Sequence, residues 1–111
     1  GTTGNDNIFA GTGDDAIQNS AGQDRISGGN GADDFDFLNF TGQTTLIDFV
    51  SSEGDQMDVS AFSFANFAAL QGTFSANGPG GHDTLIQLDV DTSVMLIGVL
   101  QTDLTAGDFI I

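Results

Sequence analysis

Aspartate recurs at Asp6, Asp15, Asp24 and Asp33, one in every nine residues. Each stands two places after a glycine (Gly4, Gly13, Gly22 and Gly31) and two places before a large apolar residue (Ile8, Ile17, Ile26 and Phe35). Carboxylates at fixed spacing serve either proton transfer or the binding of hard cations. The choice between the two depends on the elements that place them. The first 36 residues divide into four nonapeptides, GTTGNDNIF, AGTGDDAIQ, NSAGQDRIS and GGNGADDFD. A nine-residue period held in three columns is neither helical nor heptad, and it marks a repeat architecture.

Glycines early in each unit allow tight turns through backbone conformations closed to other residues. The last three places, with the apolar residue in the middle, make a very short strand with one side chain facing inward. Two nonapeptides then form one coil of about eighteen residues, and successive coils stack about 4.8 Å apart. Asp6 lies over Asp24 on one edge and Asp15 over Asp33 on the other. Bare carboxylates that close repel by about 1–3 kcal/mol at effective dielectrics from 80 down to 20. A positive ion between them removes that cost, and turns rich in carbonyl oxygens supply the all-oxygen shell that calcium favours.

These columns resemble the G-G-x-G-x-D-x-U-x repeat of the RTX (hemolysin-type) calcium-binding proteins, whose fold is a parallel β-roll. The fourth nonapeptide matches every defined position, whereas the third has Asn19 and Ser20 in place of both leading glycines. The stretch IDFVSSEGDQMDVSAF is similar to the segment that follows the repeats in serralysin-type and other type I secreted proteins. The terminus IGVLQTDLTAGDFII resembles the end of type I secretion targets. The resemblance implies that backbone carbonyls complete each calcium shell. For the Asp6–Asp24 site these are Thr2, Gly4, Asn19 and Ala21; for the Asp15–Asp33 site they are Gly11, Gly13, Gly28 and Asn30. A further site is expected where Gly29, Gly31 and Asp33 face the rest of the chain, with Asp55 as partner. The Asp15–Asp33 site is expected to be the tighter, because its turns keep more glycines.

The chain of 111 residues carries a net charge of −15, with sixteen acids against the lone Arg25. Such a surface repels nucleic acid and anionic membranes, which are bound through basic patches. The absence of cysteine excludes disulfides and thiolate metal sites. No apolar run approaches the ~20 residues that span a bilayer. The sequence begins inside a repeat, so it is expected to be the C-terminal part of a longer secreted protein.

Beyond the repeats, 35–40 and 44–50 read as strands and Ser63 to Leu70 as the one helix, capped by Ser63 and closed by Gly72. Residues 77–81 read as a loop, and 84–88 with 93–97 as a hairpin. The expected fold is all-β: a parallel β-roll over 1–36 that continues into an antiparallel β-cap over 37–111, as one continuous domain. Other motifs are weaker. Gly11 to Ala16 fits a loose dinucleotide fingerprint, but the nine-residue register already explains its glycines. Asp89-Val90-Asp91-Thr92-Ser93 starts like an EF-hand loop, yet Val94 holds the glycine position. His82 has no second imidazole or thiol for zinc.

The expectation is therefore a non-enzymatic, extracellular calcium module, monomeric as an isolated domain. It folds on calcium binding and presents its C-terminus to a type I secretion transporter. The alternative is a polysaccharide- or surface-binding RTX module of an adhesin, S-layer protein or alginate epimerase. The lack of Trp and Tyr and the single Arg count against binding an anionic glycan.

Overall fold

A computed structural model describes residues 4–111. Its strands are β1 (Asn7–Phe9), β2 (Ala16–Gln18), β3 (Asp24–Ser27), β4 (Asp34–Asp36), β5 (Gly42–Leu46), β6 (Gln56–Asp58), β7 (Phe74–Asn77), β8 (Asp83–Gln87), β9 (Thr92–Leu96) and β10 (Phe109–Ile110). One short helix, α1, spans Phe67–Gln71. The first four strands are the x-apolar-x segments of the nonapeptides, one per repeat.

Odd and even repeats go to different sheets. One sheet has the order β1-β3-β5-β9-β8-β7 and the other β10-β6-β4-β2. β1 pairs with β3 in parallel, Ile8 against Ile26, and β2 pairs with β4, Ile17 against Phe35. The step between paired strands is therefore eighteen residues, the length of one coil. The inward column of the first sheet runs on from Ile26 to Leu46 and Leu96. In the second sheet it runs from Phe35 to Met57 and Phe109. Ile26, Phe35, Leu46, Met57 and Leu96 are all essentially inaccessible to solvent, and full burial of such a side chain stabilises by about 1.5–3 kcal/mol.

Parallel pairing persists beyond the repeats through β5, β6, β9 and β10. Among the described residues, antiparallel pairing is confined to β7–β8 and β8–β9, so the cap is a three-stranded extension of one sheet. The hairpin turn between β8 and β9 is fastened by Asp89, whose Oδ1 accepts from the N–H of Asp91 and of Thr92.

The structure corrects four local expectations. The chain leaves the sheet after Asp36, because the Asn19 side chain takes both backbone groups of Leu38: Nδ2 donates to its carbonyl and Oδ1 accepts its N–H. The second expected strand stops at Leu46, and residues 47–50 bend away. The helix starts four residues late, at Phe67. Asn66 caps it by accepting from Ala69 N at 2.9 Å, whereas Ser63, at φ 55, ends a preceding 3-10 turn. β7 had no counterpart in the sequence reading. Leu70 is buried, and Phe64 and Phe67 pack against the core, which accounts for the apolar stripe. Among the described residues, no helix is long and apolar enough to cross a membrane.

Candidate metal centre

The coils are joined at their turns as well as at their strands. On the β2–β4 side, Gly13 N donates to Asn30 O and Asn30 N to Gly11 O, both at 3.1 Å. Side chains extend this ladder. Asn5 Oδ1 accepts from Gln23 N, and Asp14 Oδ1 from Ala32 N, each across eighteen residues. The approach is close enough that a Cβ on Gly29, where φ is +88°, would lie 1.8 Å from Gly11 O. No ordinary contact is so short, so this turn admits only glycine.

The repeat aspartates point along the stack. Asp6 N donates to Asp24 Oδ1, and Asp15 N to Asp33 Oδ1, both at 3.0 Å. The pattern continues past the repeats, where Asp33 N donates to Asp55 Oδ1 at 2.9 Å. The second oxygen of Asp55 accepts from Val50 N at 2.8 Å. Asp55 thus forms a third rung over Asp15 and Asp33. Its carboxyl is raised above the ordinary value, first by burial; the hydrogen bonds from Val50 and Asp33 oppose that, and the charges of Asp33 and Glu53 add to it.

Seen from their second oxygens, the two edges differ. Asp15 Oδ2 and Asp33 Oδ2 are both buried and accept no hydrogen bond, and the whole Asp33 side chain is inaccessible. A buried acceptor left without a donor costs about 1–3 kcal/mol, and more when it is charged. A Cβ at Gly28 would fall 2.3 Å from Asp33 Oδ2, so glycine there keeps the space beside that oxygen open. The neighbouring donors are turned elsewhere: Gly28 N and Gly29 N both donate to Asp48, at 3.0 Å. Two donorless carboxylate oxygens on stacked turns, bordered by carbonyl-rich glycine segments, fit calcium. Among the described residues, no three acidic, histidine or cysteine side chains converge. A cation here would have two carboxylates, and the family resemblance assigns carbonyls of Gly11, Gly13, Gly28 and Asn30 to the rest of its shell. The Gly11 and Asn30 carbonyls already in the turn ladder each keep a second lone pair.

On the other edge, Asp24 Oδ1 accepts from Asp6 N, while Oδ2 accepts from Ser20 N at 3.3 Å and Ser20 Oγ at 2.8 Å. Ser20 Oγ is also 3.4 Å from Asp6 Oδ2. Of the carbonyl candidates on this edge, Gly4 lies against Gly22, and Asn19 and Ala21 flank Ser20 in the same turn. Thr2 lies outside the described residues. Around the candidate third site, Gly31 lies against Gly13 O, and Gly29 beneath Asp48.

Sequence reasoning missed Asp48 and Ser20, and also Asn5 and Asp14 as bridges between coils. The fifth column of the repeat carried a signal for the last pair, since both first-coil residues there have a short side-chain acceptor. Asp108 was also missed as a structural group. It is buried and accepts from Ser51 Oγ and Thr105 N, which fixes the turn before β10.

The fold and this edge define the class, a parallel β-roll of nonapeptide coils closed by an antiparallel extension. Among solved structures, the chain is similar to the AlgE6R3 subunit from the Azotobacter vinelandii mannuronan C5-epimerase. The TM-score is 0.64 at 26% identity, covering 99% of this chain and 75% of that one. No protein-family model and no curated protein matches the chain.

Proposed function

We propose that the chain is an extracellular calcium-binding module whose β-roll folds as calcium arrives, and whose C-terminal segment directs type I secretion of a longer exoprotein. One observation carries the calcium reading: the buried, donorless Oδ2 atoms of Asp15 and Asp33 on adjacent coils. A site absent from the unfolded chain makes metal binding and folding a single event. Extracellular calcium modules bind at about 10⁻⁴–10⁻³ M, so the roll stays unfolded where calcium is scarce. At ten times its dissociation constant, each ion adds roughly 1.4 kcal/mol. Circular dichroism with and without a chelator tests this: the β signal is expected to fall on chelation and to return with calcium but poorly with magnesium. A spectrum indifferent to chelation removes the reading.

The export role rests on the resemblance of the last residues to secretion targets. Deleting Phe109 to Ile111 would confuse export with folding, because Phe109 is buried and β10 pairs with β6. Ile110 and Ile111 are 42% and 40% exposed, and exposed substitutions usually change stability by less than about 0.5 kcal/mol. Replacing both by serine is expected to stop export of a fused cargo while leaving calcium-dependent folding intact. Undiminished export removes the signal assignment.

The likeness to a subunit of a mannuronan C5-epimerase favours a second reading, a polysaccharide-binding module. Charge opposes it for a polyuronate, at −15 with one Arg. Binding on a glycan array in the presence of calcium would install it.

A further inference from the structure

The two edges of the roll have the same repeat aspartates and the same eighteen-residue stacking, yet their polar chemistry differs. On the Asp15–Asp33 edge, the position that opens the upper turn's glycine pair is Gly28, and the N–H groups of that pair go to Asp48. Asp33 Oδ2 is left with space beside it and no donor. On the Asp6–Asp24 edge, the equivalent pair is Asn19-Ser20. Asn19 turns away to hold Leu38, while Ser20 turns inward, its N–H and hydroxyl both on Asp24 Oδ2 and its Oγ within 3.4 Å of Asp6 Oδ2. Asp24 therefore has three protein donors, and Asp33 has one.

We propose that the Ser20 hydroxyl closes the Asp6–Asp24 edge in place of an ion, so that the two stacked coils take calcium between Asp15 and Asp33 and not between Asp6 and Asp24. The inference rests on the calcium reading of the Asp15–Asp33 edge. The hydroxyl stands where a cation would bridge the two carboxylates, and it adds a second, shorter donor to Asp24 Oδ2, which also accepts from Ser20 N. Calcium entering there would have to break the 2.8 Å bond and displace a side chain fixed by its own backbone N–H on the same oxygen. Its gain over the hydroxyl is small, because the donors on Asp24 already satisfy both oxygens. One edge is thus a permanent staple and the other a calcium-dependent one, and the roll reads calcium through a single edge.

The test counts calcium bound per chain by isothermal titration, in the native protein and in three variants. Asp15→Asn is expected to lose one ion relative to native, Asp24→Asn none, and Ser20→Gly to gain one. An ion lost in Asp24→Asn overturns the proposal, and an unchanged count in Ser20→Gly overturns the role given to Ser20. A count unchanged in Asp15→Asn instead defeats the underlying calcium reading, whatever the other edge does. If Asp24→Asn does not fold, a crystal structure of the native chain at saturating calcium decides alone. Density for an ion between Asp15 and Asp33 only is expected, and an ion between Asp6 and Asp24 contradicts the proposal.

Discussion

The β-roll and the antiparallel cap are held together by different forces. Each roll strand is three or four residues long and sends one large apolar side chain inward, so a coil of eighteen residues contributes only two such residues to the core. Its coils are otherwise joined by backbone hydrogen bonds and by turn-to-turn bonds in which aspartate carboxylates accept from the N–H groups of the neighbouring coil. In the cap, β8 and β9 are five residues long, and Thr84, Ile86, Thr92, Val94 and Leu96 are all buried. Leu70 from α1 and Leu104 fill in the same core. The apolar effect acts in the cap at any calcium concentration. In the roll, the little apolar burial is opposed by the carboxylates gathered along its edges. On the proposed function, a repeat this short completes its stability with ions as much as with side chains.

The comparison can be broken most forcefully in the shared core. Leu96→Ala removes a fully buried side chain that pairs in register with Leu46. It is expected to cost about 2–5 kcal/mol, and urea denaturation should show a comparable loss with and without calcium. A loss confined to calcium-containing buffer would show that the cap depends on the metal as well.

Gly28→Ala acts on the roll instead. Its methyl group would lie 2.3 Å from Asp33 Oδ2 and 2.9 Å from Phe35 Cζ, in the space argued for calcium. Calcium affinity is expected to fall at least about tenfold, equivalent to about 1.4 kcal/mol, with little change in urea stability of the metal-free protein. An unaltered calcium isotherm would move the site elsewhere.

The smallest effect concerns the outer face of the second sheet, where Asp36 and Asp58 sit directly opposite in register. The Asp36 carboxyl is raised above its ordinary 3.8, by burial first and then by the charge of Asp58. A raised folded-state value means that the folded chain keeps a proton which the unfolded chain has already released. Stability from this group therefore decreases as pH rises from 3.8 through the raised value, and returns on acidification. Asp58→Asn keeps an acceptor for Ser60 N–H and removes the repulsion. At pH 7 it is expected to stabilise by only about 0.3 kcal/mol, since solvent screens the pair. The gain should shrink as pH falls toward 3.8, and a gain independent of pH would point to a cause other than charge.

Much of this contrast was legible in the sequence, and the parts that were not share a physical reason. The period of nine residues gives the coil, the strand in each repeat and the eighteen-residue register, because each column has one conformational or packing task. The β8–β9 hairpin shows in its alternation. β7 does not, since Phe74-Ser75-Ala76-Asn77 has one large apolar residue and is a strand only because β8 offers it an edge. The helix start was misplaced because Ser63 and Asn66 are equally good caps in sequence, and the backbone at Ser63 turns left-handed. Nor did the sequence show where freed donors go. That Asp48 would take the N–H groups of Gly28 and Gly29, or that Ser20 would turn onto Asp24, depends on how segments far apart in the chain meet. The aspartate columns were visible, but the difference between the two edges arises from those meetings.

Amide hydrogen exchange, read with saturating calcium and again after chelation, tests the central claim most directly. The strand and turn amides of the roll, including Asp34 N, which donates to Asp15 O at 2.8 Å, are expected to be protected only with calcium. The amides of β8 and β9 are expected to stay measurably protected in both. Equal protection of the roll with and without calcium would contradict the account, because the stacked coils would then be complete without the ion.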